Sequence, residues 1–105
     1  MRKVKIPSKI QVGGLVFTVR YNKALGSISH NGFCKTEEQL LELRPSMPKQ
    51  RELGTLIHEI VHAIGVVYLD DVLTEAQVDA LGHGLHQVLI QLPVDFVVTV
   101  EGDNK

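Results

Sequence analysis

Leu53-Gly54-Thr55-Leu56-Ile57-His58-Glu59-Ile60-Val61-His62-Ala63-Ile64-Gly65 is the stretch on which the reading of this chain turns. Leu53, Leu56, Ile57, Ile60, Val61 and Ile64 recur at the spacing of an amphipathic helix, three or four residues apart along one stripe. His58 and His62 stand one helical turn apart, so both imidazoles project from one face and can reach a single metal ion. Glu59 projects from the flank of that face, where a carboxylate can poise a water molecule for attack. Gly54, Thr55 and Gly65 lie beside the histidines and leave room for an ion and for a close neighbour. Ser46 is the expected N-cap, with Pro48 in the first turn, where its missing N–H costs little. Gly65 is the expected left-handed cap at the other end, which places the helix at about 47–65.

A second helix is expected over about 74–92. Thr74-Glu75-Ala76-Gln77 fits a capping box, and Pro93 stops the pattern. Val78, Leu81, Leu85, Val88, Leu89 and Leu92 form its apolar face, and Glu75, Asp79, Gly82, His83 and His86 gather along one edge. A hydrolytic zinc site uses three protein ligands and keeps one position open, and two histidines with a glutamate are one such set. Glu75 is therefore the expected third ligand. Asp79, one turn further on, suits the role of accepting the N–H of a ligand imidazole and fixing its tautomer. His83 is the rival ligand. It is also a candidate oxyanion donor, as are His30, His86, Tyr21 and Tyr68, for each of which a surface or packing role competes. Cys34 has no local charge pattern that would activate a thiol and reads as a packing residue.

The two blocks together, Thr55 to Ile64 and Leu73-Thr74-Glu75-Ala76-Gln77-Val78, carry a resemblance. An H-E-x-x-H helix followed by an E-x-x-x-D helix resembles the gluzincin branch of the zincin metallopeptidases. More closely, the blocks are similar to small metallopeptidase-like proteins encoded by phages and prophages. The similarity covers about residues 36–92, is weak before them and is absent after 93. It implies His58 and His62 as zinc ligands, Glu59 as catalytic base and Glu75 as third ligand. One departure is evident: His62 and Glu75 are only 13 positions apart, so the loop from Gly65 to Leu73 must turn back tightly.

Composition narrows the class further. A chain of 105 residues suits one domain, 1–105. A net charge of −1 without a basic cluster argues against nucleic acid as main partner. No apolar run follows the basic first residues, so neither a signal peptide nor a membrane span is expected. A single cysteine permits no intramolecular disulfide and fits a cytoplasmic setting.

The first 45 residues read as strand-rich. Lys5 to Ile10 and Leu15 to Arg20 make a hairpin about Gly13-Gly14, and 22–31 reads as loop with a short strand near Ile28. Gln39 to Arg44 is expected as strand, because Pro45 disfavours helix at the residue before it and the phage proteins place a strand there. Val94 to Val100 is expected to add a last strand. The fold class that follows is α+β: a small zincin-like domain with a twisted, mostly antiparallel sheet packed on two main helices.

The function expected on these grounds is zinc-dependent hydrolysis of a peptide by an intracellular enzyme of phage or prophage origin. The substrate is expected to pair with the sheet edge at Gln39–Arg44. Two other classes compete. One is a zinc-stabilised interaction module descended from a peptidase, against which a retained Glu59 argues. The other is a metal-free, antitoxin-like helical regulator.

Overall fold

The structure, a computed structural model, describes residues 2–99. In chain order it contains strands β1 (Arg2–Ile6), β2 (Lys9–Val12) and β3 (Leu15–Tyr21), the short helix α1 (Ala24–Ser27), and strands β4 (Gly32–Lys35) and β5 (Leu40–Leu43). Helices α2 (Lys49–Tyr68) and α3 (Glu75–Leu89) and strand β6 (Val94–Val98) complete it. The class is α+β. Four strands form a mixed sheet in the order β2-β3-β5-β4, antiparallel at β2·β3 and β4·β5 and parallel at β3·β5. β1 and β6 pair in parallel as a separate two-stranded sheet.

The expected hairpin turns at Gly13, whose φ of 59° lies in the left-handed region that side chains resist. Its first strand is divided, however. Pro7 has no N–H to give a ladder, so the chain leaves β1 there and re-enters pairing as β2. The strand expected near Ile28 does not form. Asn22 Oδ1 accepts the N–H of Ala24 at 2.9 Å and starts one helical turn, which ends at Ile28. The strand expected at 39–44 is β5, but it is an interior strand and not an edge, because β4, which the sequence reading did not foresee, covers it. The last strand ends at Val98; Val100, like Met1, lies outside the described residues.

α2 presents three faces. Leu56 and Ala63 join Val12, Phe17, Val19, Leu41, Leu43 and Met47 in the core against the sheet. Leu53, Ile57 and Val61 meet Val78 of α3, with Phe96 of β6 beside them. The third face borders a cleft. Each wholly buried leucine, such as Leu56, contributes about 2–3 kcal/mol of apolar transfer, which fixes the helix on the sheet.

Both ends of α2 depart from expectation. Pro48 is the N-cap, whereas Ser46 sits two residues upstream at φ 65°, and no side chain caps the helix. Gly65 does not end the helix, which continues to Tyr68; the left-handed residues are Asp70 and Asp71. Glycine at 65 lets Leu73 pack close, since a Cβ there would lie 3.0 Å from Leu73 Cδ1. The N–H groups of Leu69 and Asp71 both donate to the Gly65 carbonyl, at 3.0 and 2.9 Å, and turn the chain back tightly.

α3 opens with the expected capping box: Thr74 Oγ1 accepts from the Gln77 N–H, and Gln77 Oε1 accepts from the Thr74 N–H. It ends at Leu89, short of 92, and packs chiefly on α2. Of its expected apolar face, Val78 is buried and Leu89 half-buried, while Leu81, Leu85, Val88 and Leu92 stay exposed. Among the described residues no helix is long and apolar enough to cross a membrane.

Candidate metal centre

Two glycines set the approach of α3 to α2. A Cβ on Gly82 would lie 3.4 Å from His58 Cα, and one on Gly54 would lie 2.8 Å from His86 Nδ1. Residue 82 thus rests on 58 and residue 86 on 54, an antiparallel arrangement that carries the start of α3 past the two histidines. There Glu75 spans them both. Its Oε1 lies 3.0 Å from His58 Nε2 and its Oε2 3.1 Å from His62 Nε2. The two imidazoles stand edge to face, with ring centroids 4.9 Å apart. Asp79 Oδ1 lies 3.1 Å from His58 Nδ1, the nitrogen that points away from Glu75.

The chemistry of this donor set fits a divalent cation. With Nδ1–H of His58 donating to Asp79, the Nε2 lone pair of His58 faces a carboxylate oxygen, and acceptors converge. Such a convergence needs a proton or a cation between the atoms. Ligands about 2.0–2.1 Å from one tetrahedral centre stand about 3.4 Å apart. The observed separations of 3.0 and 3.1 Å are within a few tenths of an ångström of that spacing. His58, Glu59 and His62 form one group whose ligand atoms lie within 4.8 Å of one another, and His58, Glu75 and Asp79 form a second. Neither group holds His58, His62 and Glu75 together, and His83 belongs to neither, although it lines the same cleft.

Glu59 is buried, only 6% exposed. Burial, and then the neighbouring Glu75 carboxylate, push its carboxyl up to about 8. A bound cation would act against both causes. Oε2 of Glu59 faces β4, where a Cβ on Gly32 would lie 3.0 Å from it and 2.6 Å from Thr55 Cγ2. Gly32 is what lets the strand pass this close to the helix.

The cleft has a volume of about 1010 Å³. α2 forms its floor, residues 75–86 of α3 one wall, and the segment leading into β4 the other. β4 pairs only with β5 among the described residues, so its outer edge faces away from the sheet. The Arg44 N–H donates to the Asn31 carbonyl, and by antiparallel alternation Gly32 and Cys34 then direct their backbone groups to the free side. β4 is tied from behind by Glu42, which is fully buried on β5. Arg20 Nη2 lies 2.8 Å from its carboxylate, Asn22 Nδ2 3.1 Å and Lys35 Nζ, on β4 itself, 3.2 Å. Burial pushes the Glu42 carboxyl up, but the hydrogen bonds from Asn22, Arg20 and Lys35 outweigh it and hold it below its ordinary range.

The remaining candidates separate cleanly. Tyr21 donates to Glu52 Oε2 at 2.7 Å, and Tyr68 is exposed near Gly13; neither lines the cleft. His30, His83 and His86 do line it, and Nε2 of His86 is buried without a hydrogen-bond partner among the described residues. Cys34 lines it too. Burial pushes its thiol up, Thr36 opposes the rise and Glu59 and Asp71 add to it, so its surroundings disfavour the thiolate. The sequence reading missed the β4 wall and Arg51. The one available signal for Arg51 was its place two turns before His58 on the same helix face.

Neither a family model, nor a curated protein, nor a solved structure shows significant similarity to the chain.

Proposed function

We propose that this chain is a zinc-dependent hydrolase of zincin type, acting on peptides in a cytoplasmic setting. The resemblance to phage- and prophage-encoded metallopeptidases leads to the same reading. The observation that carries it is the Glu75 carboxylate, set with one oxygen on each of two imidazoles a helical turn apart. His58, His62 and Glu75 would hold the ion, and Asp79 would orient His58. When bound, zinc supplies Lewis acidity that polarises a carbonyl and makes a water molecule easier to deprotonate. Glu59 would take a proton from the attacking water as its oxygen bonds to the carbonyl carbon, and deliver it to the amine released as the C–N bond breaks. The outer edge of β4, not β5, offers an extended substrate its backbone hydrogen bonds at Gly32 and Cys34. Of the oxyanion candidates expected from the sequence, His30, His83 and His86 line the cleft.

One observation favours the alternative that zinc serves the fold. Val78 and Gly82 are the only buried residues of α3, so ligands bridging α2 and α3 would contribute much of that helix's attachment. Two measurements separate the readings. Elemental analysis should find about one zinc per chain, lost in His58→Ala, His62→Ala and Glu75→Ala. Retention in Glu75→Ala with loss in His83→Ala would move the third ligand to His83. Glu59→Gln should keep zinc while peptide hydrolysis falls by about a hundredfold or more. Bound zinc without cleavage by the wild type would favour the structural alternative.

A further inference from the structure

The charges along the cleft are sorted. Its lining residues on α2 succeed one another as Gln50 and Arg51, Gly54 and Thr55, His58 and Glu59, His62 and Val66. Because α3 runs antiparallel, Glu75 and Asp79 face the histidines, whereas His86 lies upstream on Gly54. Every carboxylate that lines the cleft, Glu59, Asp71, Glu75 and Asp79, therefore belongs to the histidines or to the segment that follows α2. Among the described residues, the lining upstream of His58 holds no carboxylate, and its lysine and arginine content is Arg51 alone. Arg51 is exposed and has no ion-pair partner among the described residues. The upstream arm thus presents an uncompensated guanidinium, and the other arm an acidic lining.

We infer that the cleft selects substrates by charge, taking an extended peptide with a carboxylate about three residues from the scissile bond, over Arg51. This rests on the metal-hydrolase reading and adds the substrate class to it. The spacing follows from geometry. Seven helical residues separate Arg51 from His58, a rise of about 10 Å. An extended chain advances about 3.3 Å per residue, so that distance corresponds to three residues. Arg51 would also pair two-pronged with a planar carboxylate, which a lysine cannot do.

The probe is a set of peptide hydroxamates, which anchor on zinc and extend from it in one direction or the other. Each series carries Glu or Lys at the third residue, and affinity for the zinc-loaded protein is measured by calorimetry at low salt. In one of the two series the Glu compound should bind about fivefold more tightly than the Lys compound, the size of a partly exposed charge pair. Arg51→Glu should reverse that preference, and added salt should weaken it. Lys49→Glu makes the same change of net charge two residues away, but Lys49 pairs with Asp95 outside the cleft, so it should leave the preference unchanged. Equal affinities in both series, no binding in either, or an equal response to Lys49→Glu and Arg51→Glu would overturn the inference. Hydrolysis of the corresponding Glu and Lys peptides, assayed on the same protein preparations without hydroxamate, separates the two readings. A charge preference without hydrolysis upholds charge selection by Arg51 at the zinc site and refutes the enzyme, and with it the scissile bond. Hydrolysis without a charge preference does the reverse.

Discussion

Asp79→Ala removes one carboxylate that lies 3.1 Å from His58 Nδ1 and, in the proposed ligand set, would not itself contact the ion. Loss of such an orienting partner weakens metal affinity by about ten- to a hundredfold. Asp79 is about half exposed, so water can replace part of the contact, and the lower end of that range applies. A tenfold change in affinity, with zinc in excess over both dissociation constants, removes about 1.4 kcal/mol of ligand-linked stability. In a domain of this size that corresponds to a Tm lower by about 6–10 °C. The zinc-free proteins should differ far less, because an exposed carboxylate–imidazole contact is worth about 1 kcal/mol at most. Calorimetric scans of both proteins, with chelator and with a fixed excess of zinc, read both quantities. Equal Tm losses in chelator and in zinc would refute the reasoning, since Asp79 would then act on the fold and not on the ligand.

Gly32→Ala should force β4 away from α2, costing about 1–3 kcal/mol in urea denaturation, because its Cβ would fall 2.6 Å from Thr55 Cγ2. Hydrolysis should fall more than zinc affinity, since the strand and Glu59 are displaced and the ligands are not. Gly54→Ala should push on His86 Nδ1 and loosen α3, and His86→Ala in the same chain should recover part of the loss, a coupling that a double-mutant cycle measures. Glu42→Gln should cost about 2–3 kcal/mol at neutral pH, less than a fully enclosed pair because Arg20 keeps half its surface in water. The hydrogen bonds hold the folded-state pKa of the Glu42 carboxyl below its ordinary value of 4.5. Its stabilisation is therefore complete above about pH 4.5 and is lost as pH falls through the lowered value. Denaturation at a series of acidic pH values should show that loss in the wild type and a flatter profile in Glu42→Gln.

What could be read from sequence was what is local. The spacing of His58 and His62, the Thr74–Gln77 box and the shared edge of Glu75 and Asp79 follow from one helical period, and the structure brings these residues together. Long-range features were not legible. β4 is four residues led by a glycine and lacks a sustained alternation, so nothing marks Gly32–Lys35 as a strand. Without it β5 reads as an edge, and only the sheet order shows that it is interior. Ser46 and Gly65 have the right chemistry for caps, yet tertiary packing uses them otherwise: Ser46 takes a left-handed turn before Pro48, and Gly65 admits Leu73. The apolar positions of α3 were legible as a stripe. That half of the stripe faces solvent depends on where the helix docks, which no periodicity encodes.

The thin attachment of α3 has a consequence for the order in which the molecule opens. α2 is clamped between a sheet and a second apolar cluster, while α3 commits little more than Val78 to the interior. Segments with so few buried contacts exchange their amide hydrogens through local openings well below the global unfolding free energy. The α3 amides should therefore exchange faster than those of the middle of α2, as one cooperative unit that takes Glu75 and Asp79 with it. Zinc, by tying that unit to the histidines, should slow exchange along the whole of α3 and leave the β2–β3 hairpin unchanged. Isotope uptake along this one helix thus becomes a direct gauge of whether the two halves of the site are joined.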